Sequence, residues 1–231
     1  MKNIVIGCSG LIGREISKKL PKKNTLFISR KKPRCLKNIY WKKVDLDKKI
    51  NNLPLKIDKV FFLSSPYYIK KNINKKILNK EYLWLKKILN KIKINHFIYF
   101  SSSSVYIKQH PVGQIKLKCE KLLKKSGINI IQIWRPFNII GYYQNGISDH
   151  FHNLLIKYFI ERKFNSKKFL GNGKDRRGYS SVKNLCKTVI NLSKNKKKFI
   201  MNYGNPNTIT VEKIAEIFSK LLKERLNREI N

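Results

Sequence analysis

Residues 3–13 read NIVIGCSGLIG, a short apolar strand pattern that runs into three glycines spaced GxxGxxG and then into a helical pattern. Without a Cβ the chain can turn tightly at Gly7, approach bound phosphates closely at Gly10, and pack helix against sheet at Gly13. The helix that follows begins with unpaired backbone N–H groups, which favour an anion. Two linked phosphates of a dinucleotide suit such a turn. Ser9, Leu11 and Ile12 complete it, so the expected dinucleotide set begins as Gly7, Ser9, Gly10, Leu11, Ile12 and Gly13.

Outward from this turn, strands and helices alternate. Ile12, Ile16 and Leu20 share one helical face, and Pro21 stops that helix. TLFIS (25–29) reads as the second strand, and the stretch from Ile39 to Leu46 contains the third. KVFFLSS (59–65) is apolar enough for the inside of a parallel sheet. A helical region carrying Leu78, Leu85 and Leu89 runs to about Ile92. HFIYFSS (96–102), a helix over 113–125 and NIIQIWR (129–135) follow. This βαβ rhythm predicts an α/β fold, a Rossmann-type doubly wound parallel sheet. Past Pro136 the expected elements are a helix over 149–162, a loop with Gly171 and Gly173, and a helix over 182–194. A strand FIMNY (199–203) and a final helix from Thr210 to about Glu224 complete the chain. Thr210 suits an N-cap, with Glu212 in the first turn. The pattern predicts an NAD(P)-binding domain over 1–136. A reduced substrate lobe over 137–231 would return some elements to the core.

The 231 residues hold 52 Lys+Arg against 13 Asp+Glu, a formal charge of +39. The lysines are spread through every segment among Asn and Ile. No zinc-finger spacing, basic heptad helix or RNA-binding aromatic motif accompanies them. The charge therefore reads as solvated faces with weak, salt-sensitive adhesion to polyanions, not specific nucleic-acid recognition. No stretch of eighteen apolar residues suggests a membrane span. Cys8, Cys35, Cys119 and Cys186 form no CxxC pair, which fits a reducing, cytoplasmic compartment. His96, His110, His150 and His152 make no cluster with them, so no metal is expected.

Strand two ends in Ser29-Arg30-Lys31, where an NAD enzyme often places an acid on the ribose hydroxyls. A cation there suits a 2′-phosphate, although a lysine-rich surface loop would look the same. The cofactor expected is NAD or NADP, with Arg30 favouring NADP. Ser64, at the end of strand four, joins the expected dinucleotide set.

Five ordered segments carry a family resemblance: FIYFSSSSVY (97–106), PVGQIKLKCEKLL (111–123), WRPFNIIG (134–141), GNGKDRRGYSSVKNL (171–185) and MNYGNPNTITVEKIAEI (201–217). Together they resemble the NAD-dependent epimerase/dehydratase family, the extended short-chain dehydrogenases, over almost the whole chain. The resemblance implies that Ser102 bonds the reacting hydroxyl or keto oxygen. It implies that Lys116 binds the nicotinamide ribose and tunes a catalytic tyrosine. It places Asp45 and Leu46 at the adenine, and Arg177 on the phosphates of a sugar nucleotide, with Arg176 as an adjacent competitor. Asn138 would position substrate or nicotinamide. Tyr67 and Tyr68 are candidates to pack against the nicotinamide.

One departure is chemical. Four positions before Lys116, where the family keeps its tyrosine, stands Val112, which has no proton to give. Tyr106 is the nearest replacement in sequence. Only Ile107 to Pro111 separate Tyr106 from the helix, where a substrate-covering insertion is usual. The pattern after Arg177 has also become Gly178-Tyr179-Ser180-Ser181-Val182-Lys183-Asn184. The implied function is an NAD(P)-dependent nucleotide-sugar epimerase, dehydratase or reductase with altered chemistry. The alternative is a catalytically silent relative that binds dinucleotide or nucleotide sugar. The implied substrate is a nucleotide sugar or another small anion, and a homodimer would form through helices 75–92 and 113–125.

Overall fold

The computed structural model describes residues 1–33, 37–50, 53–66, 75–141, 173–217 and 219–220. The helix expected over 149–162, Gly171, Tyr67, Tyr68 and the end of the last helix lie outside them.

Seven parallel strands form the central sheet: β1 (Asn3–Ile6), β2 (Thr25–Ser29), β3 (Tyr40–Lys43), β4 (Lys56–Phe62), β5 (Lys93–Phe100), β6 (Ile130–Pro136) and β10 (Phe199–Tyr203). Their spatial order is β3-β2-β1-β4-β5-β6-β10. The chain winds outward from β1 through β2 to β3, then crosses back to lay β4 on the other side of β1. The direction of winding reverses between β1 and β4, and their carboxyl ends open a crevice there, where ligands of such sheets bind. Val5 stands opposite both Phe27 and Phe61, which fixes the register of the three central strands.

Successive side chains on these strands point to opposite faces, so each strand feeds two cores. Ile4, Ile6, Leu26, Ile28, Val60, Phe62, Phe97, Tyr99 and Ile133 pack beneath α2 (Lys75–Lys91) and α3 (Pro111–Lys124). Val5, Phe27, Phe61, Ile98 and Trp134 pack with α1 (Leu11–Lys19) and α4 (Val182–Leu192). Burial on both faces explains why the central strands read as unbroken apolar runs.

The helix ends follow local chemistry. Leu20 caps α1 before Pro21. Pro111 opens α3, and His110 Nδ1 accepts from the Gly113 amide at 3.3 Å. Thr210 Oγ1 accepts from the Lys213 amide at 3.2 Å, so the expected cap stands at the start of the helical stretch 211–217.

Two strands begin and end earlier than the apolar runs suggested. β4 takes in Lys56-Ile57-Asp58 through pairing with Lys93 and Ile94, and β5 stops at Phe100. Polar residues at the amino ends of these strands face solvent and hid the pairing. Leu63–Ser65 and Ser101–Ser102 consequently lie beyond the strand ends, at the crevice. Past Pro136, β7 (Ile139–Ile140) pairs with β9 (Ser180–Ser181), and β8 (Arg176–Arg177) with β11 (Ile209–Thr210). There α4 lies on α1, and β10 extends the sheet beside β6. Among the described residues, no helix is long and apolar enough to cross a membrane, and no three or more His, Cys, Asp or Glu gather as a metal site.

Candidate functional site

The turn after β1 is held mainly by backbone bonds, and Arg14 Nε donates across it to Ser9 O at 2.8 Å. Gly7 has φ +92° and donates its amide to Ile28 O at 2.9 Å. A Cβ on Gly7 would stand 2.8 Å from both the amide nitrogen and Oγ of Ser64, which brings the end of β4 against the turn. A Cβ on Gly13 would stand 2.2 Å from the Gly7 carbonyl oxygen, inside any tolerable contact. At Gly10 the nearest atom to an added Cβ is 3.6 Å away, so the protein itself leaves that side open. Gly10 caps α1 with no side chain, and the first turn carries no acid. The amino end of α1 is thus an electropositive end with its amides uncovered by side chains. Gly7, Gly10, Gly13 and Ser64 come together, and Leu11 touches the space beside Gly141.

At the carboxyl end of β2, Ser29 Oγ accepts from the Cys8 thiol at 3.1 Å and from the Trp41 indole at 3.0 Å, and donates to Lys31 O at 2.7 Å. Arg30 follows it, exposed. Asp45 closes a local turn, its Oδ1 accepting from the Asp47 amide at 3.1 Å, and Leu46 is buried beside it. Asp47 is the carboxylate that reaches another element. It takes Lys80 at 2.7 Å and the Trp84 indole at 2.8 Å, and the Lys80 bond holds its pKa below the usual range.

The corner where β5 meets α3 differs from the cradle. Ser102 caps a 3₁₀ turn over Ser103–Tyr106, its Oγ accepting from the Ser104 amide at 3.2 Å and the Ser104 hydroxyl at 2.9 Å. That turn presses on α3, since a Cβ on Gly113 would stand 2.1 Å from Ser104 O. Val112 sits half-buried in the first turn of α3. One turn on, Lys116 is 6% exposed. Its Nζ donates to Glu81 Oε1 at 2.6 Å and to Phe100 O at 2.8 Å, and lies 5.2 Å from the Tyr99 ring centroid. Glu81, fully buried on α2, also accepts from the Tyr99 hydroxyl at 2.7 Å and from the Ser65 hydroxyl at 2.7 Å. Burial and the Glu81 carboxylate hold the Tyr99 phenol well above its ordinary pKa and push the Cys119 thiol up to about 12. Withdrawing one partner from such a pair strands a buried charge at a cost of about 3–5 kcal/mol.

Beside it runs a second network. Ser101 Oγ donates to Glu120 Oε1 at 2.6 Å, and Arg135 grips Glu120 through Nε at 3.0 Å and Nη2 at 2.6 Å. This fork, chiefly the Glu120 bonds, raises the Arg135 pKa. Arg135 Nη1 donates to the Tyr106 hydroxyl at 2.7 Å, and that hydroxyl donates to Asn202 Oδ1 at 2.7 Å. Tyr106 also stacks on Phe137.

The substrate-side residues are partly occupied. Asn138, at φ +39°, donates its amide to Gly178 O at 3.1 Å. Arg176 spends its fork on Thr208, while Arg177 stands 3.9 Å from Asp175. Glu81 belongs to none of the five resembling segments, whereas the Glu120–Arg135 pair joins two of them, 111–123 and 134–141. A signal was present: in a chain so poor in acids, Glu81 shares the apolar helical face of Leu78, Leu85 and Ile88.

A doubly wound parallel sheet with a glycine-built turn at its switch point defines a protein of Rossmann-type α/β fold. The chain belongs to the NAD-dependent epimerase/dehydratase family, whose family model matches residues 3–204. Among solved structures it is similar to the UDP-N-acetylglucosamine 4-epimerase of Methanobrevibacter ruminantium M1, at 22% identity and TM-score 0.78. That match covers 96% of this chain and 82% of the other. It is also similar to the UDP-glucuronic acid 4-epimerase of Bacillus cereus solved in complex with NAD, at 21% identity and TM-score 0.75. The coverage there is 95% and 82%. At these identities the likeness is one of fold. No curated protein matches the sequence.

Proposed function

We propose that the cradle takes a nicotinamide dinucleotide, NAD or NADP, and faces it with a nucleotide sugar or another small anion. These are the ligands of a family epimerase, dehydratase or reductase whose proton-transfer step is altered. The carrying observation is the Gly7–Gly13 turn, closed to side chains from within and open at Gly10. In this reading Gly7, Ser9, Gly10, Leu11, Ile12, Gly13 and Ser64 hold the dinucleotide, with Arg30, Asp45 and Leu46 at its adenosine end. Asn138 and Arg177 meet the substrate, and residues 1–136 and 137–231 serve as dinucleotide unit and substrate lobe. Exposed Ile77 and Leu83 on α2 support pairing with a second copy through α2 and α3. Cys8, Cys119 and Cys186, buried thiols outside any disulfide, suit a cytoplasmic setting. Calorimetry at moderate ionic strength with both redox forms of both carriers tests the reading; no heat with any of the four ends it.

A second reading, a relative that binds these ligands and turns nothing over, is favoured by one observation. The side chains expected to move protons are engaged elsewhere: Ser102 accepts within its own turn, Lys116 serves Glu81, and the Tyr106 proton goes to Asn202. Turnover of keto-sugar nucleotides with NADH or NADPH by the wild-type protein would exclude it.

A further inference from the structure

Lys116 and Glu81 meet inside the protein, and the meeting decides what Lys116 is able to do. An ammonium has three donors. Two are spent on Glu81 Oε1 and the Phe100 carbonyl, and Nζ lies within reach of the Tyr99 ring. Glu81 is equally committed, receiving Lys116 and Tyr99 on Oε1 and Ser65 on Oε2. The side chains of the pair are 8% and 1% exposed, so solvent does little to loosen the contact.

We propose that Glu81 is a positioning residue that withdraws Lys116 from the dinucleotide, leaving the cofactor held by the glycine cradle and the end of β4. The proposal rests on the dinucleotide reading for its consequence, whereas the lock is a contact within the chain. It places this chain two changes away from the family's chemistry: residue 112 lacks the phenol, and the lysine one turn later is paired with Glu81.

The test is lysine reactivity in the native full-length protein. Reductive methylation with peptide mapping compares Lys116 with Lys121, exposed on the same helix. In the native protein Lys116 reacts at least about tenfold slower than Lys121. In Glu81→Gln, which keeps the shape and removes the charge, Lys116 reacts at least about threefold faster than in the native protein. Mere burial would leave it slow in both, and that result overturns the proposal, as does native Lys116 reacting at the rate of Lys121. An NADH titration separates the two readings. The charge-free pair Glu81→Leu/Lys116→Met keeps NADH affinity within about twofold of native, whereas a loss of about tenfold would show Lys116 on the dinucleotide and refute the lock. Native protein that fails to bind NADH would remove the dinucleotide reading, and the labelling ratio would still decide the lock.

Discussion

The glycine cradle and the β5–α3 corner sit at the same end of one sheet but differ in what their atoms are committed to. In the cradle the turn is held chiefly by backbone bonds, with the Arg14 side chain on Ser9 O at 2.8 Å, and Gly10 is left with nothing closer than 3.6 Å to an added Cβ. At the corner Ser102, Lys116 and Tyr106 each have partners within the chain. A site kept for a ligand leaves donors open where the ligand lies; a site absorbed into the fold closes them.

The largest effect expected is on the closed corner. Glu81→Leu leaves the Lys116 ammonium buried without its partner and lowers stability by about 3–5 kcal/mol in urea unfolding. Adding Lys116→Met recovers most of that loss, because replacing both charges by apolar groups of similar volume is near neutral. If the single and double variants were equally unstable, the pair would contribute shape alone, and the contrast with the cradle would weaken.

The open cradle predicts the opposite signature. Gly10→Ala meets only ordinary van der Waals space, so its stability cost stays below about 1 kcal/mol, that of an altered helix cap. Its NADH affinity falls by about tenfold or more, since the added methyl stands where a pyrophosphate approaches. Gly13→Ala is a poorer probe, because its Cβ strikes Gly7 O at 2.2 Å whether or not ligand is present. Unchanged NADH affinity in Gly10→Ala would break the comparison from the binding side.

How much of this was readable in advance differs by region for a physical reason. The cradle, the sheet and the helix faces come from local spacing: glycines at 7, 10 and 13, and apolar runs buried on both faces. The corner depends on pairs far apart in sequence. Glu81 and Lys116 are 35 residues apart, and Glu120 and Arg135 are 15. Lys116 could be placed by motif register, yet its partner was visible only as a carboxylate on an apolar helical face. The loss of the tyrosine at Val112 was plain from the residue itself.

Both comparisons need a pH at which the body of the protein is intact, and buried His96 bears on it. His96 is 4% exposed on β5; burial chiefly, and then the Lys59 charge, lower its pKa to about 4. The unfolded chain, with its imidazole near 6.5, takes up a proton before the folded one does. The His96 contribution to stability is therefore fully present above 6.5 and is lost as pH falls through the window down to about 4. Between pH 7 and pH 5 the loss is about 2 kcal/mol, measured by denaturant unfolding. His96→Leu flattens that part of the profile; an unaltered slope would assign the loss to other groups.

The smallest effect belongs to the outer edge of the cradle, where a side chain and not the backbone decides. Ser29, at the end of β2, is held by Cys8, Trp41 and Lys31, so in the proposed reading exposed Arg30 is the residue that would meet the adenosine ribose. Its fork suits a phosphate, but solvent screens an exposed cation and keeps each contact weak. Arg30→Glu should lower NADPH affinity by about threefold to tenfold while changing NADH affinity by less than about twofold. Raising the salt should shrink the NADPH effect, because the contact is a screened charge pair. Equal losses for both carriers would mean that Arg30 acts only as one more positive charge near a polyanion, and the 2′-phosphate assignment would fall with the cradle itself untouched.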